Sequence, residues 1–112
     1  IGSLRQLSFQ VLIPKPETKL GAGYTEPMLV PGPVEILSLQ GVVFQSEEGE
    51  TLLHVHGTFA DQVGKVYAGH VVMGANQILA TLDAVVAEVE DVRLIRRTDP
   101  EVGMGLFTPV QA

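Results

Sequence analysis

Cysteine is absent from the 112 residues, which excludes a disulfide scaffold, a thiolate metal site and a cysteine nucleophile. Basic residues are also scarce. Seven Lys and Arg against thirteen Asp and Glu give a formal net charge of −6 and a pI near 4.8. That balance disfavours a nucleic-acid binder that works by neutralising phosphates. No apolar run approaches the ~18 residues a membrane helix needs, so a soluble, cytoplasmic protein without membrane contact is expected. The chain begins with Ile rather than Met, which leaves a preceding targeting signal open. With only 18% charged residues and a mean hydropathy of +0.28, the composition excludes disorder. No internal repeat occurs.

The length suits one domain, residues 1–112. So small a domain buries a limited share of its surface, so help from oligomerisation is expected. Twelve Gly and seven Pro punctuate runs rich in Val, Ile, Leu and Thr, a β-rich pattern. The alternation predicts strands at Leu4–Leu12, Val34–Phe44, Thr51–Phe59, Lys65–Met73, Val92–Arg97 and Gly105–Val110. Val34–Phe44 is apolar on both faces, as a covered central strand would be. Between Ile13 and Pro33 five prolines predict an irregular segment that wraps the domain. In Gln77–Val89, residues Ile78, Leu79, Leu82, Val85, Val86 and Val89 fit one helical face with Asn76 as cap. The β-branched content argues instead for a strand.

All three histidines, His54, His56 and His70, lie within one predicted hairpin. His54 and His56 are two apart and share a strand face. Asp61-Gln62-Val63-Gly64-Lys65 fits a three-residue loop, a type I turn followed by Gly64 in the left-handed region. In that register His56 opposes His70, with His54 on the diagonal, and Leu53, Val55 and Phe59 meet Tyr67, Val71 and Met73 on the other face. A slip of one residue would send His70 into the core. Three imidazoles on one ion leave a fourth position for water, and zinc would bring that water's pKa towards ~7. Iron, nickel or copper would also accept three nitrogens. The plainer alternative is three polar residues on a solvated sheet face.

The ordered set Gly32-Pro33-Val34-Glu35-Ile36-Leu37-Ser38-Leu39-Gln40-Gly41, His54-Val55-His56, Ala68-Gly69-His70, Gly74 and Arg97-Thr98-Asp99-Pro100-Glu101-Val102-Gly103 resembles the PPC (plant and prokaryote conserved) domain. The chain looks like its stand-alone prokaryotic type. Ala68 stands where prokaryotic members usually have Gly. The resemblance implies an α+β fold, predominantly an antiparallel β-sheet, assembled as a homotrimer. It also implies that Gln77–Val89 is largely strand, and that a strand and a helix usual ahead of Ile1-Gly2-Ser3-Leu4 are missing here. In plants the domain follows AT-hook segments of DNA-binding proteins, but no Arg-Gly-Arg-Pro core occurs in this chain. Its one basic cluster is Arg93, Arg96 and Arg97, of which Arg93 and Arg97 share a strand face suited to neutralising nearby acids.

Three functions follow. The first is a trimeric three-histidine metal domain, with zinc as the expected ion, acting as a hydrolase or lyase on a small molecule. Glu35, Glu26 and Asp83 are its candidate general bases, with Tyr24 and the proline-rich loop lining the pocket; each of these also fits an ordinary surface or packing role. The second is an oligomerisation and interaction module. The third, disfavoured by charge, is DNA binding, assigned to such proteins by family analogy.

Overall fold

The Asp61–Lys65 turn closes as its sequence predicts. Gly64 has φ of 80°, its N–H donates to the Asp61 carbonyl at 3.1 Å, and the Asp61 N–H donates to the Lys65 carbonyl at 3.0 Å. The flanking strands pair in the predicted register, Phe59 opposite Tyr67 and His56 opposite His70. Around this hairpin the computed structural model, which describes residues 1–112, is built of strands without a helix. They are β1 (Gly2–Gln10), β2 (Leu12–Pro14), β3 (Ala22–Tyr24), β4 (Met28–Gln45), β5 (Thr51–Ala60), β6 (Val66–Val71), β7 (Ile78–Leu82), β8 (Val92–Asp99) and β9 (Met104–Gln111).

The main sheet runs β7-β1-β6-β5-β4-β8-β9, and β1 also pairs with β4. That extra pairing closes β1, β6, β5 and β4 into a ring. Inside it lie the alternate apolar residues of these strands: Leu7 and Phe59 at 0% exposure, Val34 at 1%, with Leu4, Phe9, Val30 and Ile36 around them. Pairing is antiparallel throughout except where β4 meets β8 at the single rung Gln45–Ile95. β8 and β9 form a long hairpin that leaves the ring as an arm. No helix is long and apolar enough to cross a membrane.

Three expectations change. The chain is β throughout, so the helical part of an α+β class has no counterpart in residues 1–112. Gln77–Val89 is strand only over Ile78–Leu82, which pairs with the edge of β1. Asp83 still bonds Ile1 through its N–H and its carbonyl, but beyond it Val85, Val86 and Val89 stand out in solvent. The apolar periodicity there thus reports neither a helix nor a full strand of the isolated chain. Finally, Ile13–Pro33 is less irregular than its prolines suggest. Leu12–Pro14 and Ala22–Tyr24 form a small ladder, and β4 already begins at Met28. Pro31 and Pro33 fall in the half of β4 that pairs only with β1, since β5 joins at Glu35. A strand with a free edge there tolerates a missing donor.

Candidate metal centre

Because side chains alternate along a strand, the residues that point away from the ring's core form a polar outer face. Ser38 and Thr58 hydrogen-bond there through their hydroxyls at 2.7 Å. Next along the same face, His56 lies between Gln40 of β4 and His70 of β6. His54 is two residues further on. The three rings approach pairwise with centroids 4.9, 5.0 and 5.5 Å apart. One ligand nitrogen from each lies within 4.8 Å of the others, and the His54 and His56 Nε2 atoms are 3.1 Å apart. Nitrogens bound tetrahedrally at ~2.0–2.1 Å from zinc would be ~3.4 Å apart. Closure onto an ion therefore needs side-chain adjustment of about an ångström rather than movement of strands.

Two structural features fit these residues to a cation. The buried Nδ1 of His70 has no hydrogen-bond partner, and a buried unpaired nitrogen is costly. Burial, then the neighbouring charges of His56 and Arg96, lower the His54 pKa below its ordinary value of 6.5. Burial, then His54 and His56, lower that of His70. Both shifts favour the neutral imidazole, the form in which histidine binds a metal.

Two flaps border the cluster. Tyr24, at the end of β3, stacks on His70 with centroids 4.4 Å apart. It is held there because Gln10, opposite His70 on β1, donates through Nε2 to the Thr25 carbonyl at 2.8 Å, while the Thr25 N–H donates to Val11. The second flap is the β8–β9 arm. In the sheet order β9 is three places from β5, ~14 Å if the sheet were flat. Yet the Phe107 ring lies 5.9 Å from His54 and 5.7 Å from Phe44. The arm therefore leans over the histidine face.

None of the candidate acids touches the histidines. No carboxylate oxygen lies within 4.0 Å of any histidine nitrogen. Glu35 opposes Ala60, four residues along β5 from His56 and so ~13 Å away. Together with Asp83 it lines a separate depression beside Ile1 and Gly2. Glu26 is exposed just beyond the Tyr24 flap. Arg97 pairs with Glu47 at 3.5 Å, as its strand face suggested. Sequence reasoning anticipated Tyr24 but missed Phe107 and Arg96. Only the placement of the arm brings these two near, and no spacing in the sequence encodes it.

Two crystal structures share this fold. One is a candidate DNA-binding protein from Bacteroides thetaiotaomicron VPI-5482, with a TM-score of 0.65 at 20% identity over 96% of this chain and 68% of the other. The second, a candidate DNA-binding protein from Ralstonia eutropha JMP134, gives a TM-score of 0.61 at the same identity and coverage. No curated protein sequence matches. Residues 1–90 match the sequence model of the Plants and Prokaryotes Conserved (PCC) domain, a span that includes the histidine hairpin and ends before the β8–β9 arm. The chain belongs to the Plants and Prokaryotes Conserved domain family.

Proposed function

We propose that this domain is a homotrimeric, cytoplasmic metal protein in which His54, His56 and His70 hold one divalent ion, zinc in the first place, with a coordination position left open for a small molecule. The observation that carries this reading is the convergence of three ring nitrogens, one of them buried and unpaired, across the His56–His70 rung. A zinc ion held by three histidines supplies Lewis acidity and a water activated near neutral pH. The chain's own part is to favour the neutral form of His54 and His70, fix the directions of all three rings on paired strands and wall the position with Tyr24 and Phe107. No carboxylate oxygen lies within 4.0 Å of a histidine nitrogen, so a base drawn from Glu35, Asp83 or Glu26 would act on the bound molecule rather than on the ligands.

Support for the trimer comes from what one chain leaves uncovered. Only ten of the 112 residues are buried. The radius of gyration is 15.6 Å, against ~13 Å for a self-contained chain of this length. An open apolar hollow bordered by Leu39, Leu53, Val55 and Met73 lies on the face opposite the histidines. Covering such surface with other copies is the ordinary way for a small domain to complete its core.

The deciding measurement is metal content of untagged protein beside His54→Ala and His70→Ala. Stoichiometric metal in the wild type, lost in both variants, is expected; a metal-free wild type ends the reading and leaves an interaction module. The DNA-binding descriptions of the two neighbours fit this chain poorly, because its net charge is −6 and Arg97 is engaged by Glu47. Salt-dependent retention on duplex DNA would reinstate them.

A further inference from the structure

The β8–β9 arm sets an arginine beside the histidines. Arg96 opposes Phe107 across β8–β9, so both side chains leave the arm on one face. It is the face that reaches His54 and Phe44. The guanidinium lies across Gly105, where an added Cβ would sit 2.7 Å from Arg96 Nε. Arg97 faces the other way and is neutralised by Glu47, whereas Arg96 makes no ion pair. His54 feels the positive charge of Arg96, and no carboxylate acts on His54 or His70. In a chain of net charge −6, the histidine face thus has a guanidinium without an ion pair beside it and no carboxylate in contact.

We propose that Arg96 and the three-histidine centre together bind a small carboxylate-bearing ligand, one oxygen at the open position of the ion and the other facing the guanidinium. This rests on the metal reading above. The guanidinium gives the second oxygen charge-assisted hydrogen bonds, which are about twice as strong as neutral ones. The rings of Tyr24 and Phe107 offer apolar walls to the carbon part of such a ligand. A phosphate fits less well: one guanidinium leaves its further charge unpaired, and the structure has no helix N-terminus to take it.

The test uses protein loaded with cobalt(II), whose visible absorption reports its coordination. Acetate and inorganic phosphate are titrated separately into wild type, Arg96→Gln and Arg96→Lys, and cobalt affinity is measured by equilibrium dialysis. Saturable acetate binding is expected, tighter than that of phosphate. Arg96→Gln should weaken acetate about five-fold or more, as loss of a charge-assisted contact does. Arg96→Lys should fall between, and cobalt affinity should hold in both variants. A smaller change in acetate affinity, no acetate binding, or tighter phosphate overturns the inference while leaving the metal centre standing. Loss of cobalt affinity in the variants also overturns it, because Arg96 would then be supporting the histidines. Failure of the wild type to take up cobalt overturns both readings.

Discussion

Tyr24 lies nearly flat on His70, their planes 21° apart. The contact joins a short ladder near the start of the chain to the strand that supplies the third imidazole. Stacked aromatic pairs contribute ~0.5–1.5 kcal/mol beyond the area they bury. Tyr24→Ala should therefore weaken zinc binding by about two- to ten-fold, and Tyr24→Phe should leave it nearly unchanged. Competition against a chelating dye measures both. Equal affinities in all three proteins would mean that the ring only covers the site.

Acid should destabilise the metal-free protein through His54 and His70. Their folded pKa values lie below 6.5, chiefly through burial. The unfolded chain then binds protons that the folded one refuses, so stability is fully present above about pH 6.5 and is lost as pH falls through the folded values. Thermal melts from about pH 8 down to about pH 5 should show this slope, and it should flatten in His54→Gln and in His70→Gln. An unchanged slope would place the acid sensitivity elsewhere.

The hairpin turn sets the register of the site. Gly64 has φ of 80°, a conformation that costs an L-residue ~1–2 kcal/mol, so Gly64→Ala should lose about that much in urea denaturation. Asp61 takes the N–H groups of Val63 and Lys65 on its Oδ1 at 3.0 and 2.9 Å. Asp61→Ala should lower the melting temperature, and Asp61→Asn should lower it less.

Gly69 is tight for a different reason. A Cβ there would meet the Gln10 carbonyl at 2.6 Å and the Phe9 ring at 2.9 Å, beside the His70 rung. Gly69→Ala should cost ~1–3 kcal/mol, the usual penalty of overpacking. Stability unchanged in urea would show that β1 can step back from β6.

If copies of the chain cover its apolar surface, untagged protein should sediment at three times the 12.0 kDa chain mass. Val86, 78% exposed in the single chain, is a candidate contact. Val86→Glu should shift the distribution towards smaller species. A monomer at micromolar concentration would remove the trimer from the proposed function.

The histidine cluster was legible because a short glycine turn leaves little freedom of pairing: once Asp61 faces Lys65, His56 must face His70. The burial of Phe59 followed from the same alternation. Val85, Val86 and Val89 misled because periodicity records that a surface is apolar without saying what covers it. Pro31 and Pro33 misled because a proline excludes a ladder hydrogen bond, while half of β4 has no second partner. Arg96 and Phe107 were illegible since they reach the site by the tilt of an arm, which depends on three-dimensional packing. The candidate acids were chosen by residue type, and type alone carries no position.

The arm meets the sheet at the single rung Gln45–Ile95 and lies wholly past residue 90, where the family match ends. The division of labour this creates is mechanical. The histidines sit on paired strands within the family's common span, where a change of backbone would disturb the core. Phe107 and Arg96 sit on a hairpin whose one ladder rung to the ring is Gln45–Ile95. A shift in the tilt of the arm would therefore move Phe107 and Arg96 together against the histidines while the His56–His70 rung stays in register.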